Sequence, residues 1–124
     1  ARTLAIQPWD ASAISAIEKA IQQANLGLNP MSDGKIVRVP VPALNEERRR
    51  ELVKVSHKHG EDCKVSVRNA RRDANEELKS LKKASTITED EERKGTEKIQ
   101  KLTDDAIKQI DETLAHKEKD IMQV

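Results

Sequence analysis

Phenylalanine and tyrosine are absent from the 124 residues, and Trp9 is the one aromatic. A platform on which successive bases stack needs several aromatic faces, so that mode of nucleic-acid binding is excluded. Cys63 stands alone, which excludes a disulfide scaffold. No apolar run approaches the ~18 residues needed to cross a bilayer. No basic stretch followed by an apolar one reads as a secretory signal. After Pro42 there is no proline at all. What the chain does have is charge: 36% of residues are Asp, Glu, Lys or Arg, and 35% are apolar. That is the composition of long, charge-coated helices with aliphatic cores. The chain opens at Ala1, inside a strand-like pattern and without an initiator methionine, and we expect it to be part of a longer protein.

The formal net charge of +1 conceals a segregation. Residues 46–83 carry twelve basic and eight acidic side chains, and residues 84–124 carry seven basic and eleven acidic. A basic segment is therefore followed by an acidic one, and pairing the two leaves faces of opposite sign that can steer partners.

The first 45 residues are rich in turn signals. Thr3 to Gln7 reads as a strand stopped by Pro8, and Asp10 or Ser12 can cap a short helix whose apolar face is Ile14, Ile17, Ile21 and Ala24. Asn25 and Gly27 tolerate left-handed backbone angles and end it. Asn29-Pro30 and Asp33-Gly34 are turn chemistry, and Lys35 to Val39 reads as a second strand. Pro40 and Pro42 make Pro40–Leu44 a stiff extended connector, and we expect a domain boundary there, with 1–44 and 45–124 as the two parts. Trp9 is expected to anchor the small core of the first part or to cap its edge. An exposed Trp9 would instead mark a protein-binding hot spot.

Asn45, with Glu46 and Glu47 behind it, opens a helix predicted to run to about Lys83. Leu52, Val55, His59, Cys63, Ala70, Ala74, Leu78 and Leu81 give it one apolar arc, interrupted by Gly60 as a weak point or a close helix approach. Ser85 to Ile87 is a turn. Thr88 and Glu91 form a T-x-x-E capping box for a second helix reaching about Gln123, with Ile99, Leu102, Ala106, Ile110, Leu114 and Ile121 on its apolar side. The short turn makes the two helices antiparallel. Two helices cannot cover two wide apolar faces, so a third is required. The alternative is a homodimer that supplies the missing helices.

Arg68, Arg71 and Arg72, at i, i+3 and i+4, form with Lys64 and further lysines a basic stripe opposite the apolar arc, Arg71 nearer its edge. Guanidinium forks fit phosphate oxygens bidentately, so the stripe is the candidate RNA-binding surface, reading backbone and shape. The competing reading is a solvated face paired to Glu61, Asp73, Glu76 and Glu77. His59 and Cys63, with His57 nearby, have the spacing of two metal ligands on one helix face, but no second pair completes a site and His116 is alone. We read them as a buried thiol with a flanking histidine and expect no metal. No G-x-S-x-G and no phosphate loop occurs, so no catalytic residue is assigned and no cofactor is expected.

Several runs together resemble one family: Ile17-Glu18-Lys19-Ala20-Ile21, Leu26-Gly27-Leu28-Asn29-Pro30, Arg38-Val39-Pro40-Val41-Pro42-Ala43-Leu44-Asn45-Glu46-Glu47-Arg48-Arg49, Val67-Arg68-Asn69-Ala70-Arg71-Arg72-Asp73-Ala74-Asn75, Gln100-Lys101-Leu102-Thr103-Asp104 and Lys117-Glu118-Lys119-Asp120-Ile121-Met122. In this order they resemble the bacterial-type ribosome recycling factor. Asn45 stands where that family more usually has Thr, and His57 to Gly60 replace better helix formers. The resemblance implies an L-shaped α+β protein, a three-helix bundle joined by a hinge to a small β-rich α/β domain. It also implies that this chain is the C-terminal portion, without the first long helix and the opening strands. Val41, Pro42, Ala43 and Leu44 fall on one hinge strand. The implied role is non-enzymatic and cytoplasmic: binding of the post-termination ribosome through large-subunit rRNA, and subunit splitting with elongation factor G. Arg68, Arg71 and Arg72 are the matched part of the RNA surface. Neither DNA nor membrane is an implied partner. The intact family is monomeric, and self-association is an expectation for a piece without its third helix. The alternative function is a helical scaffold or adaptor for protein partners.

Overall fold

The computed structural model describes residues 2–123. Its contacts divide the chain into two compact units, Ala1–Leu44 and Asn45–Val124. The first is a three-stranded antiparallel sheet with one helix, and the second is a helical hairpin.

In the first unit, β1 (Thr3–Ile6), α1 (Ile14–Gln23), β2 (Met31–Ser32) and β3 (Val37–Pro40) follow in order, and the sheet order is β1-β3-β2. A short 3-10 turn at Ala11–Ala13 precedes α1, capped by Asp10, whose side chain accepts from the Ser12 N–H at 2.8 Å. Leu4 faces Val39 and Ile6 faces Val37 across the β1–β3 ladder, so these side chains share the face that meets α1. Val37, Val39 and Ile14 are buried there, with Ile6, Ile17, Ile21 and Leu28 packed around them. The helix stops where Asn25 takes φ 51°, and Gly27 follows at φ 70°.

Three features differ from the sequence reading. The second strand starts at Val37, not Lys35, because the Asp33 carboxylate accepts from the Lys35 and Ile36 N–H groups at 3.1 and 3.0 Å and holds them in a turn. Pro40 lies inside β3. β2 reaches only Val37 and Arg38, so no neighbour on that side needs the N–H that proline lacks. Two-residue β2 itself was too short to show a pattern between its flanking turns. Trp9 does not anchor the core: it is fully exposed after Pro8, and Ile6, Ile14 and Ile17 close the core without it.

In the second unit, α2 (Glu46–Lys83) and α3 (Glu89–Met122) have 38 and 34 residues. Asn45 accepts from the Arg48 N–H at 2.7 Å to start α2. The helix ends in a Schellman motif: the Thr86 N–H reaches the Leu81 carbonyl and the Ser85 N–H the Lys82 carbonyl, each at 2.9 Å, with Ser85 left-handed at φ 57°. The capping box of α3 is complete, Thr88 Oγ1 accepting from the Glu91 N–H at 3.2 Å and Glu91 accepting from the Thr88 N–H at 2.7 Å. Gly60 is a close-approach site. It is the buried residue of α2, and a Cβ there would sit 2.3 Å from Leu114 Cδ1. Gly95 plays the same part for Leu78. Arg49 donates through Nη1 to the carbonyls of Ile121 and, at 2.7 Å, Gln123, which ties the end of α3 to the start of α2. No helix among the described residues is long and apolar enough to cross a membrane.

Candidate nucleic-acid interface

One side of the hairpin is stitched by polar contacts between the helices. Lys64 Nζ lies 2.6 Å from Asp111, Lys82 Nζ 2.7 Å from Glu92, and His57 Nε2 3.2 Å from Glu118. Arg71 donates to Gln100 Oε1 at 3.4 Å. Arg68 and Arg72 stand outside this seam. Both are exposed, one helical turn apart, and among the described residues neither makes an ion pair within the chain. Lys54, Lys58 and Lys79 are exposed on the same stripe.

The four basic residues singled out in the sequence are thus brought onto one stretch of α2 but divided between two tasks. Arg68 and Arg72 present free guanidinium groups. Arg71 is half-buried, its fork turned partly toward α3. Lys64 has a side chain only 14% exposed, and Glu61 approaches it at 3.2 Å in addition to Asp111. The hydrogen bond to Asp111, then that to Glu61, pushes its ammonium above the usual lysine range. Lys64 therefore fastens the helix that carries the arginines. Of the acids in the competing reading, Glu61 does pair with a member of the stripe, Lys64, whereas Asp73, Glu76 and Glu77 pair with neither Arg68 nor Arg72 among the described residues.

Cys63 is exposed, contrary to the expectation of a buried thiol. It lies with His59, Gly60, Val67, Ala106 and Ile110 in an open, largely apolar groove of about 570 Å³ between the helices. Each helix has an apolar arc wider than the face its neighbour covers, so the outer edges, including Val55 of α2 and Leu102 of α3, stay in solvent. No group of three or more His, Cys, Asp or Glu among the described residues is placed to hold a metal. In the connector, Val41 remains tied to the first unit, its N–H donating to the Arg2 carbonyl at 2.6 Å. Pro42, Ala43 and Leu44 follow outside any helix or strand. The uncovered apolar groove was legible in the sequence from its two wide apolar faces, whereas the exposure of Trp9 and Cys63 was not. Periodicity marks which side chains are apolar but not which of them find a neighbour.

The family model described as ribosome recycling factor matches residues 1–122. The ribosome-recycling factors of Ralstonia pickettii and Staphylococcus saprophyticus are 56% and 59% identical to the chain over all 124 residues. The chain spans 67% of the length of each. A solution structure of the ribosome recycling factor aligns over 99% of the chain and 65% of its own length, at 47% identity and a TM-score of 0.62. A second structural relative, at 42% identity and a TM-score of 0.52, covers 98% of this chain and 65% of that one. It comes from models of the Thermus thermophilus factor and the Escherichia coli elongation factor G bound to the E. coli post-termination complex. With residues 1–122 matched by the family model and more than half of all positions identical to the Ralstonia and Staphylococcus factors, the chain belongs to the ribosome recycling factor family.

Proposed function

We propose that this chain is a ribosome-binding translation factor of the cytoplasm that acts with elongation factor G to split post-termination ribosomes. The carrying observation is the unneutralised pair Arg68 and Arg72 on a rigid helix, in a chain whose structural relative sits with elongation factor G on a post-termination complex. Its action is binding and displacement, not catalysis by its own side chains. Arg68 and Arg72 contact rRNA phosphates directly, Arg71 contributes from the edge of the stripe, and Lys64 holds the surface in place. Val41 to Leu44 form the hinge between the two parts, with Pro42–Leu44 as its free section. With one aromatic in the chain, the RNA is held by phosphates and shape.

Ribosome pelleting across a salt series tests this. Phosphate contacts release counterions, so affinity for large subunits should fall steeply and linearly in log–log form between about 50 and 200 mM salt. Salt-insensitive binding would instead favour the scaffold reading, in which the helices grip protein partners.

A further inference from the structure

Asp33-Gly34 is the one place in the chain where an aspartate or asparagine stands directly before glycine. Such a pair is chemically weak, because glycine has no side chain to keep its own nitrogen from the carboxyl carbon before it. Most other aspartates lie inside α2 and α3, where helical geometry fixes the following N–H. Around Asp33 the backbone is open. Both residues are exposed, Gly34 takes φ 88°, and nothing lies within 4 Å of where its Cβ would be. What restrains the pair is the use made of the carboxylate. One oxygen accepts from the Lys35 and Ile36 N–H groups at 3.1 and 3.0 Å, and the other is paired with Arg38 at 2.5 Å. The carboxylate is thus held to donors beyond the Gly34 nitrogen. These donors also favour its ionised form, which is a poor electrophile because no oxygen can leave as water.

We propose that Asp33-Gly34 is a latent site of backbone isomerisation, and that Arg38 with the two turn N–H groups guards it in the folded chain. In the reaction the Gly34 nitrogen attacks Cγ of the protonated Asp33. The N–Cγ bond forms, the Cγ–OH bond breaks, and the amide proton leaves with the hydroxyl as water, closing a succinimide. Water then adds to the main-chain carbonyl carbon of Asp33 and breaks its bond to the Gly34 nitrogen. The chain now runs through the side-chain carbon, with one extra methylene, and the former main-chain carboxyl is free. One water is lost and one gained, so the mass is unchanged and no oxidant or reductant takes part. The isoaspartyl product cannot make the native turn. Lys35, Ile36 and Arg38 lose their acceptor where β3 begins, beside the fully buried Val37 and the Met31–Arg38 register. Isomerised chains therefore loosen in the first unit. Arg68 and Arg72 take no part, so the inference is independent of RNA binding.

The test ages the whole 124-residue chain in neutral buffer, with and without urea, and then cuts it after glutamate. The peptide 19–46 contains Asp33 as its one aspartate. Isoaspartate is counted as the share of that peptide resisting a protease that cuts before aspartate. The folded chain should isomerise about tenfold more slowly than the urea-unfolded one, the factor that one unit of carboxyl pKa represents. Arg38→Gln, folded by circular dichroism, should isomerise several-fold faster in native buffer. Lys35→Gln should keep the native rate, because the Lys35 side chain makes no ion pair among the described residues. Should Arg38→Gln fail to fold, the unmodified chain in about 1 M salt decides, since salt screens the exposed pair. Its rate should rise more than that of the isolated peptide 19–46 in the same salt. Equal rates in folded and unfolded chains overturn the proposal. So does a folded Arg38→Gln chain as slow as the unmodified one, or, in the salt arm, no rise beyond that of the peptide.

Discussion

Asp33 does more in this fold than its exposed position suggests. Its carboxylate accepts from the Ile36 and Lys35 N–H groups and pairs with Arg38 at 2.5 Å. The Ile36 N–H first, then Arg38, then the Lys35 N–H hold it down to about 2, from an ordinary 3.8. A carboxyl depressed on folding contributes stability above its unfolded value, and that contribution is lost as pH falls through the folded one. The first unit should therefore weaken between about pH 4 and pH 2, and Asp33→Asn should flatten that part of an acid titration followed by amide signals of 35–39. Glu91 behaves alike in direction, lowered chiefly by the Thr88 N–H and then by its hydroxyl. Ser85 makes the opposite kind of contribution. A non-glycine residue in the left-handed region costs about 1 kcal/mol, so Ser85→Gly should stabilise the hairpin by roughly that much in thermal or urea unfolding.

At the scale of elements, the caps were written in the sequence and the packing was only half written. Asn45, Thr88 and Glu91 act locally, through groups three residues away, and local chemistry is what a sequence displays. Gly60 was ambiguous until Leu114 appeared beside it, because the partner lies on another helix. A large side chain there must push α3 away, so Gly60→Leu should cost about 1–3 kcal/mol in urea unfolding despite its better helix propensity. The Arg49 clamp was not legible, since it joins positions more than seventy residues apart through backbone carbonyls that carry no sequence signature. Arg49→Ala should fray the last turn of α3. Hydrogen exchange should speed up at 119–122, while the Thr88 end keeps its protection.

For the molecule as a whole, the α+β architecture, the antiparallel hairpin and the basic stripe were all readable before any coordinates. They rest on periodicity, on a short turn and on i, i+3, i+4 spacing. What could not be read was the division of labour within the stripe. Lys64 looks like Arg68 in a sequence, and only the position of Asp111 converts it from a surface cation into a strut. That division yields a directional expectation. Lys64→Ala should lower the stability of the hairpin more than it lowers the salt slope of ribosome binding, because a bridged lysine releases few counterions.

The central claim is that Arg68 and Arg72 hold ribosomal RNA through its phosphates. Its most direct test is ribosome affinity of the Arg68→Glu, Arg72→Glu double variant against the unmodified chain, measured by pelleting across salt at equal helicity. The account predicts a large loss of affinity at low salt and a log–log salt slope shallower by about two, one for each lost phosphate contact. An unchanged affinity and an unchanged slope, with the helices intact, would contradict it.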